Sequence, residues 1–176
     1  MRVFSFPAVI ANDARVLILG SMPGVASLNA SEYYAHPRNQ FWRLMGELCG
    51  AAPDLPYARR LQALLDHRIA VWDVLHTCVR PGSLDASIEH TSAQPNDLAG
   101  LLRRASGIRR ICCNGGTAHR TLIRFFGARL ARDFQQIEIL KLPSTSPANA
   151  GWTYARKLTA WSAGINIAPV AAPIQP

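Results

Sequence analysis

Lysine is nearly absent from this chain. Two of its 19 basic residues, Lys141 and Lys157, are lysine; the other 17 are arginine, and the formal net charge is +8. Cysteine is also scarce. Cys49, Cys78, Cys112 and Cys113 form no C-x-x-C pair and no zinc spacing, which argues against a structural metal or an iron–sulfur cluster. Vicinal Cys112 and Cys113 fall in an expected core strand, where thiols act as small apolar groups. No apolar run approaches the roughly 18–20 residues of a membrane helix. Met1–Pro7 lacks the apolar core and cleavage site of a signal peptide. These absences predict a soluble cytoplasmic protein with no membrane contact. The 176 residues suffice for one domain with a sizeable core, and 49% of them are hydrophobic. Arginine pairs bidentately with phosphate, so a basic, arginine-dominated surface suits nucleic acid. A GC-rich genome would produce the same bias.

Four short apolar runs, 15–21, 69–75, 108–114 and 137–142, alternate with helical patterns. Lacking strict alternation, they read as parallel strands buried on both faces. Phe41, Leu44, Met45 and Leu48 repeat at helical spacing, as do Leu98, Leu101, Leu102 and Ala105 behind a capping candidate, Asn96. Further helices are marked by Leu61, Leu64 and Leu65, by Leu122, Phe125 and Phe126, and by Tyr154, Leu158 and Trp161. The pattern predicts an α/β fold, a three-layer α/β/α sandwich around a mostly parallel four-stranded sheet. We expect a single domain over 1–167 and a proline-rich, disordered tail over 168–176.

Three segments could carry chemistry. Gly20-Ser21-Met22-Pro23-Gly24 is a tight turn after the first strand, able to bring backbone N–H groups to a base edge or phosphate. It could equally be an ordinary turn. Tyr33-Tyr34-Ala35-His36-Pro37-Arg38-Asn39-Gln40-Phe41-Trp42 precedes an amphipathic helix. Proline favours a first turn, which places Asn39 in that turn, off the apolar stripe. There it could meet a ligand or only satisfy local backbone groups. Leu142–Asn149, Leu-Pro-Ser-Thr-Ser-Pro-Ala-Asn, follows the last strand and could instead cap the last helix. Open α/β sheets bind ligands at such strand ends.

Together these segments resemble the active-site motifs of the uracil-DNA glycosylase superfamily, and most closely its DNA-deoxyinosine (hypoxanthine-DNA) branch. The likeness runs from about Phe6 to Ala163. It implies a monofunctional glycosylase that hydrolyses the N-glycosidic bond of deoxyinosine, with uracil as a secondary substrate. Double-stranded and single-stranded DNA with a deaminated base are the implied partners. The enzyme would act as a monomer, with no metal and no organic cofactor. Uracil- and thymine-specific relatives hold the attacking water with an asparagine in the first motif, where this chain has Met22. The resemblance therefore assigns catalysis to Asn39, which could orient water or hydrogen-bond the leaving base. It assigns base binding to Gly20, Ser21, Met22, Pro23, Tyr34 and Asn114. It assigns DNA binding to Ser144, Thr145, Ser146, Pro147, Ala148 and Asn149, the last three as a wedge. Tyr33, Tyr34 and Phe41 are the stacking candidates. Tyr34 is preferred, because Phe41 lies on the apolar stripe. No lysine lies in these motifs, so no Schiff-base step is expected. Met22→Asn would restore the water-holding amide and add uracil activity.

Two more segments look like the same branch, Val71–Leu75 with Arg80–Asp85, and Asn114–His119. Both should edge the same cleft. Asp73 reads as a buried structural acid, and His119 as a helix-facing residue without chemistry. The rivals are a uracil-specific glycosylase, a non-catalytic nucleic-acid-binding module, and a hydrolase using Cys112, Cys113 or Ser21.

Overall fold

The computed structural model describes residues 1–166. The expected tail, 168–176, lies outside the described residues. In chain order the elements are β1 (Arg2–Phe4), β2 (Val16–Gly20), α1 (Val25–Ala30), α2 (Phe41–Cys49), α3 (Tyr57–Asp66), β3 (Ile69–Asp73) and β4 (Leu75–Val79). A 3-10 turn (Asp85–Ser87), β5 (Gln94–Pro95), α4 (Leu98–Arg104), β6 (Arg110–Asn114), α5 (Gly116–Asp133), β7 (Glu138–Leu142) and α6 (Tyr154–Ile165) follow.

The four apolar runs form one parallel sheet in the order β3-β2-β6-β7. β2 is central, and all five of its residues are buried. Its side chains alternate between two cores, as strand geometry requires. Leu17 and Leu19 join Ile111 and Cys113 beneath Leu98, Leu102, Leu122 and Phe126 of α4 and α5. Val16 and Ile18 join Cys112 beneath Phe41, Leu44, Leu48, Leu64 and Trp161 of α2, α3 and α6. The result is the expected three-layer sandwich. β2 connects on to β3 on one side, while β6 connects on to β7 on the other. The order therefore reverses between β2 and β6, which opens a crevice at their C-terminal ends.

A second, antiparallel sheet, β1-β4-β5, was not expected. The run 69–75 looked like one strand. The chain instead leaves β3 at Val74 and enters β4, where Leu75 to Val79 pair with β1 and β5. Asn96 does not cap α4. Its Nδ2 donates to the carbonyls of Asp73 (2.9 Å) and Leu75 (3.0 Å), stitching β3 to β4. Asp97 is the cap, accepting from Gly100 N–H at 2.9 Å. No described helix is long and apolar enough to cross a membrane.

Candidate active-site cleft

A cleft of about 920 Å³ opens at the C-terminal ends of β2, β6 and β7. Its walls bring together Gly20, Ser21, Tyr34, Asn39, Asn114 and the whole 142–149 loop. Segments more than 100 residues apart thus share one site, as the strand-end argument requires.

Asn39 sits two residues before α2 rather than in its first turn, because α2 begins at Phe41 with Gln40 as cap. Its Oδ1 accepts the Phe41 N–H at 3.0 Å, so the side chain does satisfy an orphan helix donor. Its Nδ2 makes no hydrogen bond among the described residues. One end of the amide is thereby fixed and the other is available.

Three stacking candidates separate cleanly. Tyr33 and Phe41 are buried core residues. Tyr34 lines the cleft at φ +57°, with its ring stacked on Phe41 at a centroid distance of 3.9 Å. Phe41 thus braces one face of Tyr34. The Tyr34 hydroxyl is buried without a partner; it approaches the Asn114 amide, but not in hydrogen-bonding geometry. Burial, and then the charge of Asp73, raise its pKa. Asp73 Oδ2 is the other orphaned buried polar atom among the described residues. Burial and then the charge of Asp85 push the Asp73 carboxyl up to about 8, against the opposing charge of Arg80. A Cβ on Gly20 would fall 2.4 Å from Asp73 Oδ1 and 3.3 Å from Tyr34 Oη, so only glycine fits between these groups and the crevice.

Met22 and Pro23 are corrected by the structure, since neither lines the cleft. Met22 packs with Val3, Leu75, Cys78 and Ile88, in the layer between the first turn and the unexpected sheet. An apolar side chain gains by that burial, while Gly20, Ser21 and Gly24 of the same turn line the crevice. Pro23 is buried, and its carbonyl accepts from Arg80 Nη2. Arg80 is 1% exposed and also binds the carbonyls of Gly82 (3.0 Å) and Met22 (3.4 Å). Ser21 Oγ donates to Asp85 Oδ1 at 2.7 Å, and Val25 N–H donates to Ser83 Oγ at 2.9 Å. Residues 80–85 are thus fastened to the first turn, and Ser83, Leu84 and Asp85 become part of the cleft wall.

The 142–149 loop is equally well held. Asn114 Nδ2 donates to Thr145 Oγ1 and its Oδ1 accepts the Thr145 N–H, both at 2.9 Å. Thr145 thus uses one Nδ2 hydrogen and one Oδ1 lone pair of Asn114, and the Tyr34 hydroxyl lies beside the same amide. Thr145 is fully buried, and its carbonyl accepts from Gln40 N–H at 3.0 Å. Thr145 therefore anchors the loop from within the cleft wall. Ser144 Oγ and Ser146 Oγ each accept a backbone N–H at 3.2 Å, which leaves their own hydroxyl protons to donate. Pro147 and Ala148 are exposed. α5 approaches from Gly115, whose φ is +97° and whose added Cβ would fall 2.8 Å from Ser144 Cβ. Its N-terminus, which carries partial positive charge, edges the cleft through Gly116 and Thr117.

Several site residues gave no sequence signal. Lys157 is 2% exposed; its Nζ donates to Gln40 Oε1 (2.8 Å) and to the Asn149 carbonyl (3.2 Å), joining the second and third motifs. Burial lowers its pKa. Trp152 lines the rim, with the Arg156 guanidinium 4.7 Å above its ring. A smaller hollow of about 310 Å³ adjoins the cleft through Asp85, Ala86 and Thr117, with Arg120 and Arg124 on its wall. His119 lines neither space.

All four cysteines are free and buried. Burial pushes the Cys112 and Cys113 thiols up to about 12, which leaves neither a nucleophile. No group of three His, Cys, Asp or Glu that could hold a metal occurs among the described residues.

The chain is similar to known proteins over almost all of its length. It is 36% identical to a hypoxanthine DNA glycosylase of Methanosarcina acetivorans over 161 residues, spanning 90% of this chain and 94% of that one. A hypoxanthine DNA glycosylase of Methanosarcina barkeri is 36% identical over 116 residues, 65% of this chain and 72% of its own. A solution NMR structure of a candidate uracil DNA glycosylase from Methanosarcina acetivorans superposes with a TM-score of 0.77 at 34% identity, covering 94% of this chain and 97% of that one. The profile of the Uracil DNA glycosylase superfamily matches residues 7–163, and the chain belongs to that superfamily.

Proposed function

We infer that this protein is a monofunctional DNA glycosylase that hydrolyses the N-glycosidic bond of deoxyinosine, releasing hypoxanthine and leaving an abasic site in DNA. The observation that carries the reading is the convergence of Asn39, Tyr34 and the Ser144–Asn149 loop on one strand-end cleft. Both relatives named as hypoxanthine DNA glycosylases support the choice of base.

In this reading the damaged base leaves the duplex and lies against the free face of Tyr34. Stacking on an aromatic ring offsets about 1–3 kcal/mol of the extrusion cost. Gly20 and Ser21 let the backbone approach the base, and Asn114 meets its edge. Asn39 cannot take a proton at neutral pH. Its anchored Oδ1 and available Nδ2 orient a water, or hydrogen-bond the departing base, as the sugar gains oxocarbenium character. Such positioning is worth several kcal/mol without acid–base chemistry. Lys157 forms no Schiff base, since its Nζ is committed to Gln40 and Asn149 beneath the loops.

The Ser144 and Ser146 hydroxyls and the N-terminus of α5 bind phosphates, while Pro147, Ala148 and Asn149 enter the minor groove. Arg120 and Arg124 extend the cationic surface along the adjoining hollow. The enzyme works as a monomeric single domain in the cytoplasm, on double-stranded and single-stranded DNA, with uracil as a secondary substrate. A panel of oligonucleotides, each with one modified base, tests this when treated with alkali to cut abasic sites. Cleavage is expected at deoxyinosine first and at deoxyuridine more slowly. Cleavage at uracil alone would favour a uracil-specific enzyme, and binding without cleavage a non-catalytic module.

A further inference from the structure

Extruding a purine leaves a gap in the stack, and the gap needs a filler. The loop expected to supply it, Pro147-Ala148-Asn149, has only small or polar side chains. Few large apolar side chains of the described residues are exposed, and two of them, Leu84 (61%) and Trp152 (37%), line the cleft. Trp152 is covered by the Arg156 guanidinium. Leu84 has no such cover.

Leu84 is also held out from a braced support. On its N-terminal side, Ser83 Oγ accepts the Val25 N–H and the Gly82 carbonyl accepts from buried Arg80. On its C-terminal side, Asp85 accepts from Ser21 at 2.7 Å. The Leu84 carbonyl itself accepts the Ser87 N–H at 3.0 Å, closing the 3-10 turn behind it. Hydrophobic burial favours hiding such a side chain, yet anchors on both sides keep it at the cleft edge. The 80–86 loop is tied to the β2 side of the cleft, while the 144–149 loop extends β7 at the other. A duplex seated over the cleft would meet both.

We propose that Leu84 is the residue that enters the base stack and occupies the space vacated by the extruded purine, with the 147–149 loop pressing from the far side. The proposal rests on the DNA-glycosylase reading above. Proteins that distort DNA use apolar wedges of this kind between base steps. A wedge acts before chemistry, so its loss matters where a stack must be opened and not where none exists.

The test is single-turnover release of hypoxanthine from duplex and from single-stranded DNA by wild type, Leu84→Ala and Leu84→Met. A 2-aminopurine beside the deoxyinosine reports unstacking by fluorescence. Leu84→Ala is expected to slow duplex excision and the fluorescence rise by roughly tenfold or more, the equivalent of losing burial of one leucine side chain. Its single-strand rate should stay within about twofold of wild type, since there is no stack to open. Leu84→Met should recover most of the duplex rate. Unchanged duplex excision by Leu84→Ala would overturn the proposal, and so would equal losses on both substrates, which would mark Leu84 as a support of the cleft. Failure of wild type to release hypoxanthine from either substrate would instead overturn the functional reading, and the wedge with it.

Discussion

Replacing Asp73 by asparagine should flatten the pH dependence of stability. Asp73 is 4% exposed, its Oδ2 has no partner, and the charges of Asp85, Arg80 and the phenols of Tyr33 and Tyr34 surround it. Its carboxyl titrates near 8 in the folded chain against an ordinary 3.8. Between those values the unfolded chain has lost the proton and the folded chain keeps it. The folded state then binds more protons, so stability falls as pH rises from about 4 to about 8 and is level above. At 1.36 kcal/mol per unit, the loss accumulated by neutral pH is on the order of 4 kcal/mol. Asparagine has the same shape and never ionises. Urea denaturation of wild type and Asp73→Asn, from about pH 5 to about pH 9, measures the difference directly. The variant's advantage should widen up to about pH 8 and then hold constant. Asp85, whose pKa burial also raises, titrates in both proteins and largely cancels. A constant offset is compatible with this account, because an amide and a neutral carboxyl differ in hydrogen bonding. Parallel curves across the whole range would refute it, and Asp73 would then be ionised and solvated in the folded chain.

Met22→Asn should lose stability by about 1–3 kcal/mol in thermal denaturation, because it buries an unpaired amide among Val3, Leu75 and Cys78. It should gain no uracil excision, and a gain would mean that the side chain reaches the cleft. Lys157→Met should slow single-turnover excision equally on single and double strands, since it unties Gln40 from Asn149. A wild-type rate would show that the two loops hold their own geometry. Glycines in place of Pro147, Ala148 and Asn149 should slow excision from duplex more than from single strand. Equal losses would move the loop from distortion of DNA to catalysis or folding.

The parallel sheet was legible because each of its strands is an unbroken apolar run, and both faces of β2 are buried. The second sheet was not. β1 and β5 have only three and two residues, and β4 follows β3 after a single residue, so no composition change marks the corner. Periodicity found α2, but Pro37 suggested too early a start; the chain uses His36 and Asn39 to build a turn before the helix. At the site, the strand-end motifs were visible as small polar turns. Met22 misled, because a position in a motif says nothing about which way a side chain packs. At Thr145 the burial was invisible: a hydroxyl that looks like a phosphate donor is enclosed, and it accepts from the Asn114 amide. Lys157 could not be found from sequence, and Leu84 was visible only as part of the 80–85 segment. The first is one polar residue in an apolar helix pattern. The second is an ordinary leucine until its exposure is known.

Single-turnover excision from a deoxyinosine duplex by Asn39→Ala isolates what the Asn39 amide contributes to base release. Circular dichroism, thermal denaturation and DNA affinity measured on the same protein establish that it folds and binds. Hypoxanthine release should fall by several orders of magnitude, the scale of positioning effects at a reacting centre, with DNA binding retained. Hypoxanthine release at the wild-type rate by a folded, DNA-bound Asn39→Ala protein would contradict the role given to Asn39.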